Sequence, residues 1–91
     1  MLTLKELYNI SKNELSDILP KGDNDFRLEQ AEYLHNDQVW EVVVSYLTEN
    51  KNKKTSVITP FAENYQFERV YKKLLIDTTK RVTGFYIYFP K

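Results

Sequence analysis

The run Val39-Trp40-Glu41-Val42-Val43-Val44-Ser45-Tyr46-Leu47 constrains the fold more than any other part of the chain. It is β-branched and aromatic, which favours a strand. Successive strand residues point to opposite faces. Trp40, Val42, Val44 and Tyr46 therefore share one face, and Val39, Val43 and Leu47 the other. A strand apolar on both faces needs cover on both sides, so this one is expected near the middle of a sheet.

The flanking segments supply its neighbours. Phe26 to Leu34 reads as a strand, joined to the central one by His35-Asn36-Asp37-Gln38. Asn and Asp suit a turn because they tolerate left-handed backbone and bond their own main chain. Val82 to Phe89 alternates Thr83, Phe85, Ile87 and Phe89 with Gly84, Tyr86 and Tyr88, and Pro90 ends it. Between them, Phe67 to Asp77 fits a strand leading into the Asp77-Thr78-Thr79-Lys80-Arg81 turn. A helix starting at Thr59-Pro60 is the competing assignment for residues 59–77. Ser56 to Thr59 could add a short strand, and Pro60 to Tyr65 fits no single element.

Ahead of the strands, Leu4, Leu7, Tyr8, Ser11, Leu15, Ile18 and Leu19 recur at three- and four-residue steps, the signature of one buried helix face. Thr3 and Glu6 have the spacing of a capping box. Ser11 and Glu14 repeat it, which allows a break near Asn9. Pro20 and Gly22 stop the helix. The expected fold is α+β: one domain over residues 1–91, with an N-terminal helix packed on an antiparallel meander of about four strands.

With 91 residues and no cysteine, the chain has neither disulfides nor thiolate metal sites to support a small core. Its thirteen aromatic residues, seven of them Tyr, fit a dense core or self-association. The lack of cysteine suits a reducing compartment. Met1-Leu2-Thr3-Leu4-Lys5-Glu6 lacks the basic and apolar regions of a signal peptide. No apolar stretch approaches the ~20 residues of a membrane span. A cytoplasmic protein without membrane contact is expected.

Charge is balanced overall but uneven along the chain. Residues 1–49 hold ten Asp/Glu and four Lys/Arg, and residues 50–91 hold three and nine. Acidic and basic strands lying side by side would neutralise one another. Left unpaired, the basic half would attract an acidic partner.

The tryptophan strand, a polar loop, then Glu68-Arg69-Val70-Tyr71-Lys72-Lys73-Leu74-Leu75-Ile76-Asp77 and Phe85-Tyr86-Ile87 resemble a pattern in small uncharacterised bacterial proteins. Those proteins carry a W-E-V-x-x-S-Y strand followed by a Y-K-x-x-x-I-D hairpin. The order of one helix and a meander is similar to PepSY-like and cystatin-like modules. The resemblance implies inhibition or binding of other proteins, and it transfers no site residues. The pattern usually has a Gly before the second hairpin strand, and residues 77–82 do not.

Catalytic chemistry finds little support in these residues. His35, the only histidine, falls in a turn, and Ser45 lies mid-strand rather than on a strained elbow. Glu29 and Glu41 could approach across the first hairpin and share acid/base work. A charge ladder with Arg69, Lys72 and Lys73 explains the same residues. Asp23-Asn24-Asp25 lacks the alternation of a calcium loop. No cofactor is expected.

Under this fold, Val42, Val44, Phe85, Ile87 and Phe89 lie beneath the helix and meet Leu4, Leu7, Leu15 and Ile18. Tyr86, Tyr88, Val43, Ser45 and Tyr71 occupy the other face. The candidate protein-binding residues are Tyr71, Tyr86, Tyr88, Val43 and Lys72. The expected partner is another protein or a second copy of the chain, bound through this tyrosine-rich face or, as a second route, by pairing with one of the two edge strands a four-stranded sheet leaves. Nucleic acid is the alternative, through Lys51, Lys53, Lys54, Lys72, Lys73, Lys80 and Arg81.

Overall fold

A computed structural model describes residues 2–22, 24–49 and 67–90. Helix α1 spans Leu4–Glu14 and starts at the expected box. Glu6 N–H donates to Thr3 Oγ1 and Thr3 N–H to Glu6 Oε1, both at 3.1 Å. Two helix-end donors are thereby satisfied by side chains. The Ser11–Glu14 spacing introduces no break, and the helix runs continuously past Asn9.

The helix ends earlier than the apolar spacing suggests. Leu15 is its C-cap, and Ser16 N–H turns to the Asn13 carbonyl, an i to i−3 bond that tightens the chain out of α geometry. Leu15 is buried, whereas Ile18 and Leu4 are exposed. Neither therefore packs onto the sheet as expected.

Four strands follow: β1 (Arg27–Leu34), β2 (Val39–Glu49), β3 (Phe67–Asp77) and β4 (Val82–Tyr88). They form an antiparallel sheet in the order β1-β2-β3-β4. The fold is α+β, with α1 on one face of a meander. Residues 67–77 are strand, not helix. The expectations for residues 56–65 lie outside the described residues.

The register explains where the core sits. Residues directly opposite in a sheet share a face. Val42 pairs with Ala31 and Leu74, and Trp40 with Tyr33 and Ile76. Leu2, Leu7 and Leu15 cluster with Val42, Val44, Tyr46, Leu74, Ile76 and Phe26. Fully burying Leu7, Leu15, Leu74 or Ile76 stabilises by about 1.5–3 kcal/mol each. Burial also pushes the Tyr46 phenol upward in pKa.

The turns use the chemistry of their residues. Gln38 and Lys80 adopt positive φ, 55° and 70°. Lys80 fills the position where a glycine is usual. Asp77 makes this possible: its Oδ1 accepts from Thr79 Oγ1 at 2.6 Å, Thr79 N–H at 2.9 Å and Arg81 N–H at 3.0 Å. These bonds, led by the Thr79 hydroxyl, hold the Asp77 carboxyl below the usual carboxylate range.

Among the described residues, no helix is long and apolar enough to cross a membrane.

Candidate functional site

The face away from α1 follows from the same register. Val43 lies opposite Lys73, which lies opposite Tyr86. Ser45 lies opposite Tyr71, which lies opposite Tyr88. Four of the five candidate residues, Val43, Tyr71, Tyr86 and Tyr88, thus share one face. Lys72 does not. It pairs with Val44 and Ile87 on the helix side, with its ammonium 5.7 Å from the Phe85 ring centroid. Lys73 takes its place on the tyrosine face, with Nζ 5.3 Å from the Tyr86 centroid and 3.9 Å from Glu41 Oε2. Strand alternation alone puts Lys72 and Lys73 on opposite faces.

Tyr71 and Tyr88 are half-buried, Tyr86 is exposed, and Val43 is buried beneath them. Glu29, Gln30, Val43, Tyr71, Tyr88 and Pro90 line a shallow cleft of about 440 Å³. Its floor is apolar and its rim carries amide, carboxylate and phenol groups.

A part-buried polar network borders the cleft. A bulge between Leu28 and Gln30 adds Glu29 to β1 as an extra residue. Bulges re-aim a side chain in this way. Ser45 Oγ, wholly buried, donates to Glu29 Oε2 at 2.7 Å and accepts from Arg69 Nη1 at 2.8 Å. The same nitrogen donates to the Asp25 carbonyl at 3.1 Å, and Arg69 Nη2 binds the Asp25 carboxylate. Arg27 reaches that carboxylate at 2.7 Å. Partial burial opposes ionisation of Asp25, but Arg27 and then Arg69 outweigh it and hold its pKa below the usual value. Arg69 therefore ties β3 to the chain entering β1, a link between residues 44 apart in sequence. Sequence reasoning placed Ser45 on this face but did not foresee the network.

The expected approach of Glu29 and Glu41 does not occur. The bulge commits Glu29 to Ser45, while Glu41 lies opposite Glu32. Ser45 and Glu41 are four residues apart on β2, about 13 Å at ~3.3 Å per residue. His35 is exposed in the β1–β2 turn, its ring edge-on to Tyr33 at 4.9 Å.

A second cleft, also about 440 Å³, lies between Leu2, Glu6, Tyr33, Trp40, Thr78 and Lys80. Lys80 Nζ meets Glu6 Oε2 there at 2.9 Å. This bond, then the one from Thr3 N–H, lowers the Glu6 pKa.

The charge imbalance is partly resolved inside the fold. Three of the four ion pairs among the described residues join the acidic half to the basic half: Asp25–Arg69, Glu41–Lys73 and Glu6–Lys80.

Comparison with known proteins gives no match to a family model, a curated protein or a solved structure.

Proposed function

We propose that this chain is a non-catalytic, cytoplasmic protein-binding module, a small inhibitor, immunity or accessory protein. Its binding surface is the tyrosine face of the sheet. The observation that carries this reading is the cleft where Tyr71 and Tyr88 flank buried Val43. Tyrosine rings offer large contact area at low entropic cost while the hydroxyl stays hydrated, a combination enriched in protein interfaces. The Glu29–Ser45–Arg69 network stiffens the floor of that face, so little ordering entropy is lost on binding. The absence of cysteine suits a reducing cytoplasm.

The nucleic-acid alternative draws less support. Lys72 and Lys73 lie on opposite faces, and Lys73 and Lys80 face carboxylates. Salt-sensitive binding of a single-stranded oligonucleotide, weakened by Lys72→Glu, would revive it.

The test is affinity capture from source cells with the wild-type chain and with Tyr71→Ala/Tyr88→Ala, followed by titration of the purified captured protein. A protein held stoichiometrically by the wild type and lost by the folded variant supports the reading. Equal binding by both removes the tyrosine face from consideration.

A further inference from the structure

The two edges of the sheet are built differently. Among the described residues, β1 and β4 each pair with one strand and leave one row of backbone N–H and C=O groups without a ladder partner. Such a row is a template for another strand, and proteins usually blunt it with charges, proline or a bulge. β1 has these defences: Arg27, Glu29 and Glu32, and the bulge at Glu29. β4 reads Val-Thr-Gly-Phe-Tyr-Ile-Tyr, with no charge and no proline. Its bulge lies at its start, between the Leu75 and Ile76 pairings, and leaves residues 84–88 regular.

The side chains of β4 point the same way. Phe85 and Ile87 occupy the helix-side face by register, opposite Leu74 and Lys72. They were expected to lie beneath the helix with Phe89. Instead Phe85 is 44% exposed, Ile87 65% and Phe89 82%.

We propose that β4 pairs antiparallel with β4 of a second copy, giving a two-fold dimer with one continuous eight-stranded sheet. The proposal rests on the protein-binding reading above and names one partner for it. One register pairs the whole of the regular part, residues 84–88, with itself and keeps both faces matched. It is centred on Tyr86, so Tyr86 faces the other Tyr86, Phe85 faces Ile87, and Tyr88 faces Gly84. The exposed Phe85 and Ile87 then become two symmetric cross-strand apolar pairs. Pairing centred on Phe85 would set Val82, on the helix side, against Tyr88 on the tyrosine side, because the bulge shifts the alternation.

Pairing of β4 with the β1 edge of another copy would meet the bulge at Glu29 and the charges of that strand. A strand without charge suffers no repulsion from its own copy. The Lys72 and Lys73 positions of the two copies are three strand spacings apart, about 14 Å, beyond the screening length of physiological salt. The two-fold axis is normal to the sheet. Both helices therefore lie on one side, and the two tyrosine faces merge into one surface on the other.

The test is sedimentation equilibrium of the full chain across the micromolar range, with Ile87→Lys as the perturbing variant. Ile87 is exposed, so a lysine there costs the monomer only a solvent-screened repulsion with Lys72 opposite, and retention of the fold is checked by circular dichroism. A wild-type mass of twice 10.9 kDa is expected. Because the lysine enters the interface twice, dimer dissociation should rise at least about a hundredfold. The chain has no native cysteine, so Tyr86→Cys offers an independent readout. Oxidation should yield a covalent dimer, and Glu32→Cys on β1 should not. A monomer at every concentration, an unchanged dimer in Ile87→Lys, or equal cross-linking at both cysteines overturns the proposal. The tyrosine-face reading is judged separately. Ile87→Lys that is monomeric yet retains the captured protein keeps that reading, and a wild-type dimer that captures nothing sinks it alone.

Discussion

Ser45→Ala isolates the network beneath the tyrosine face. The substitution removes one oxygen that makes two bonds to charged groups, to Glu29 at 2.7 Å and from Arg69 at 2.8 Å. A hydrogen bond to a charged partner contributes about 1.5–3 kcal/mol net. The two are not simply additive here. Glu29 is exposed and recovers water, and Arg69 keeps its bonds to Asp25. The expected loss is therefore close to one such bond, about 2 kcal/mol. For a domain of this size each kcal/mol lowers Tm by about 4–8 °C, so a drop of about 8–16 °C should follow. Urea unfolding followed by Trp40 fluorescence and by circular dichroism measures it. Arg69→Met should cost more, because it also strips Asp25 of a guanidinium. The double variant should be less destabilised than the sum by about 1 kcal/mol, the coupling expected of a shared network. A Ser45→Ala loss below about 0.5 kcal/mol, the scale of an ordinary surface change, would show that the network does not form in solution.

Two further substitutions test other parts of the fold. Ser11 is wholly buried on α1, and its hydroxyl has no hydrogen-bond partner among the described residues. Ser11→Ala removes an unsatisfied group and improves helix propensity, so Tm should rise, with a gain of about 1 kcal/mol in chemical denaturation. Asp77 has a depressed folded pKa. Its contribution is fully present above the unfolded value of about 4 and disappears as pH falls through the folded value. Wild-type Tm should therefore fall below about pH 4, and Asp77→Asn should lower Tm at neutral pH and flatten that acid limb.

What the sequence disclosed and what it withheld divide along physical lines. The β2 run, the capping box and β4 were legible because each depends on local periodicity or on residues three apart. β3 was harder, since Val70-Tyr71 and Leu74-Leu75-Ile76 satisfy both helical and strand spacing in a short window. The pairing to β2 over the whole of Phe67–Asp77 decides it. The faces of the sheet followed from alternation, and so did Val43, Tyr71, Tyr86 and Tyr88. Lys72 was grouped with Tyr71 despite being its neighbour in a strand, which alternation forbids. The helix end was misjudged because Ile18 continues the apolar spacing while the backbone has already tightened at Ser16. The exposure of Phe85 and Ile87 is a tertiary property. The Arg69 network was not readable at all. It needs the bulge at Glu29 and a contact across 44 residues, and neither leaves a local signature.

The charge pattern allowed two outcomes, acidic and basic segments pairing inside the fold or a polar molecule that draws an acidic partner. The fold places Asp25, Glu41 and Glu6 against Arg69, Lys73 and Lys80, so much of that imbalance is neutralised within the chain. The partly exposed Glu41–Lys73 and Glu6–Lys80 pairs add little stability individually, yet each removes charge from long-range steering. In the proposed reading, recognition falls to groups that act at contact: tyrosine rings over a stiff floor, and the backbone of an edge strand without charge. These two features share β4. Tyr86 and Tyr88 belong to the tyrosine face, while Phe85 and Ile87 of the same strand point to the other side. A lysine at Ile87 blocks the edge while leaving the tyrosine rings in place, and alanine at Tyr71 disturbs the rings while leaving the edge. One strand can thus serve two contacts, and its alternation lets them be broken one at a time.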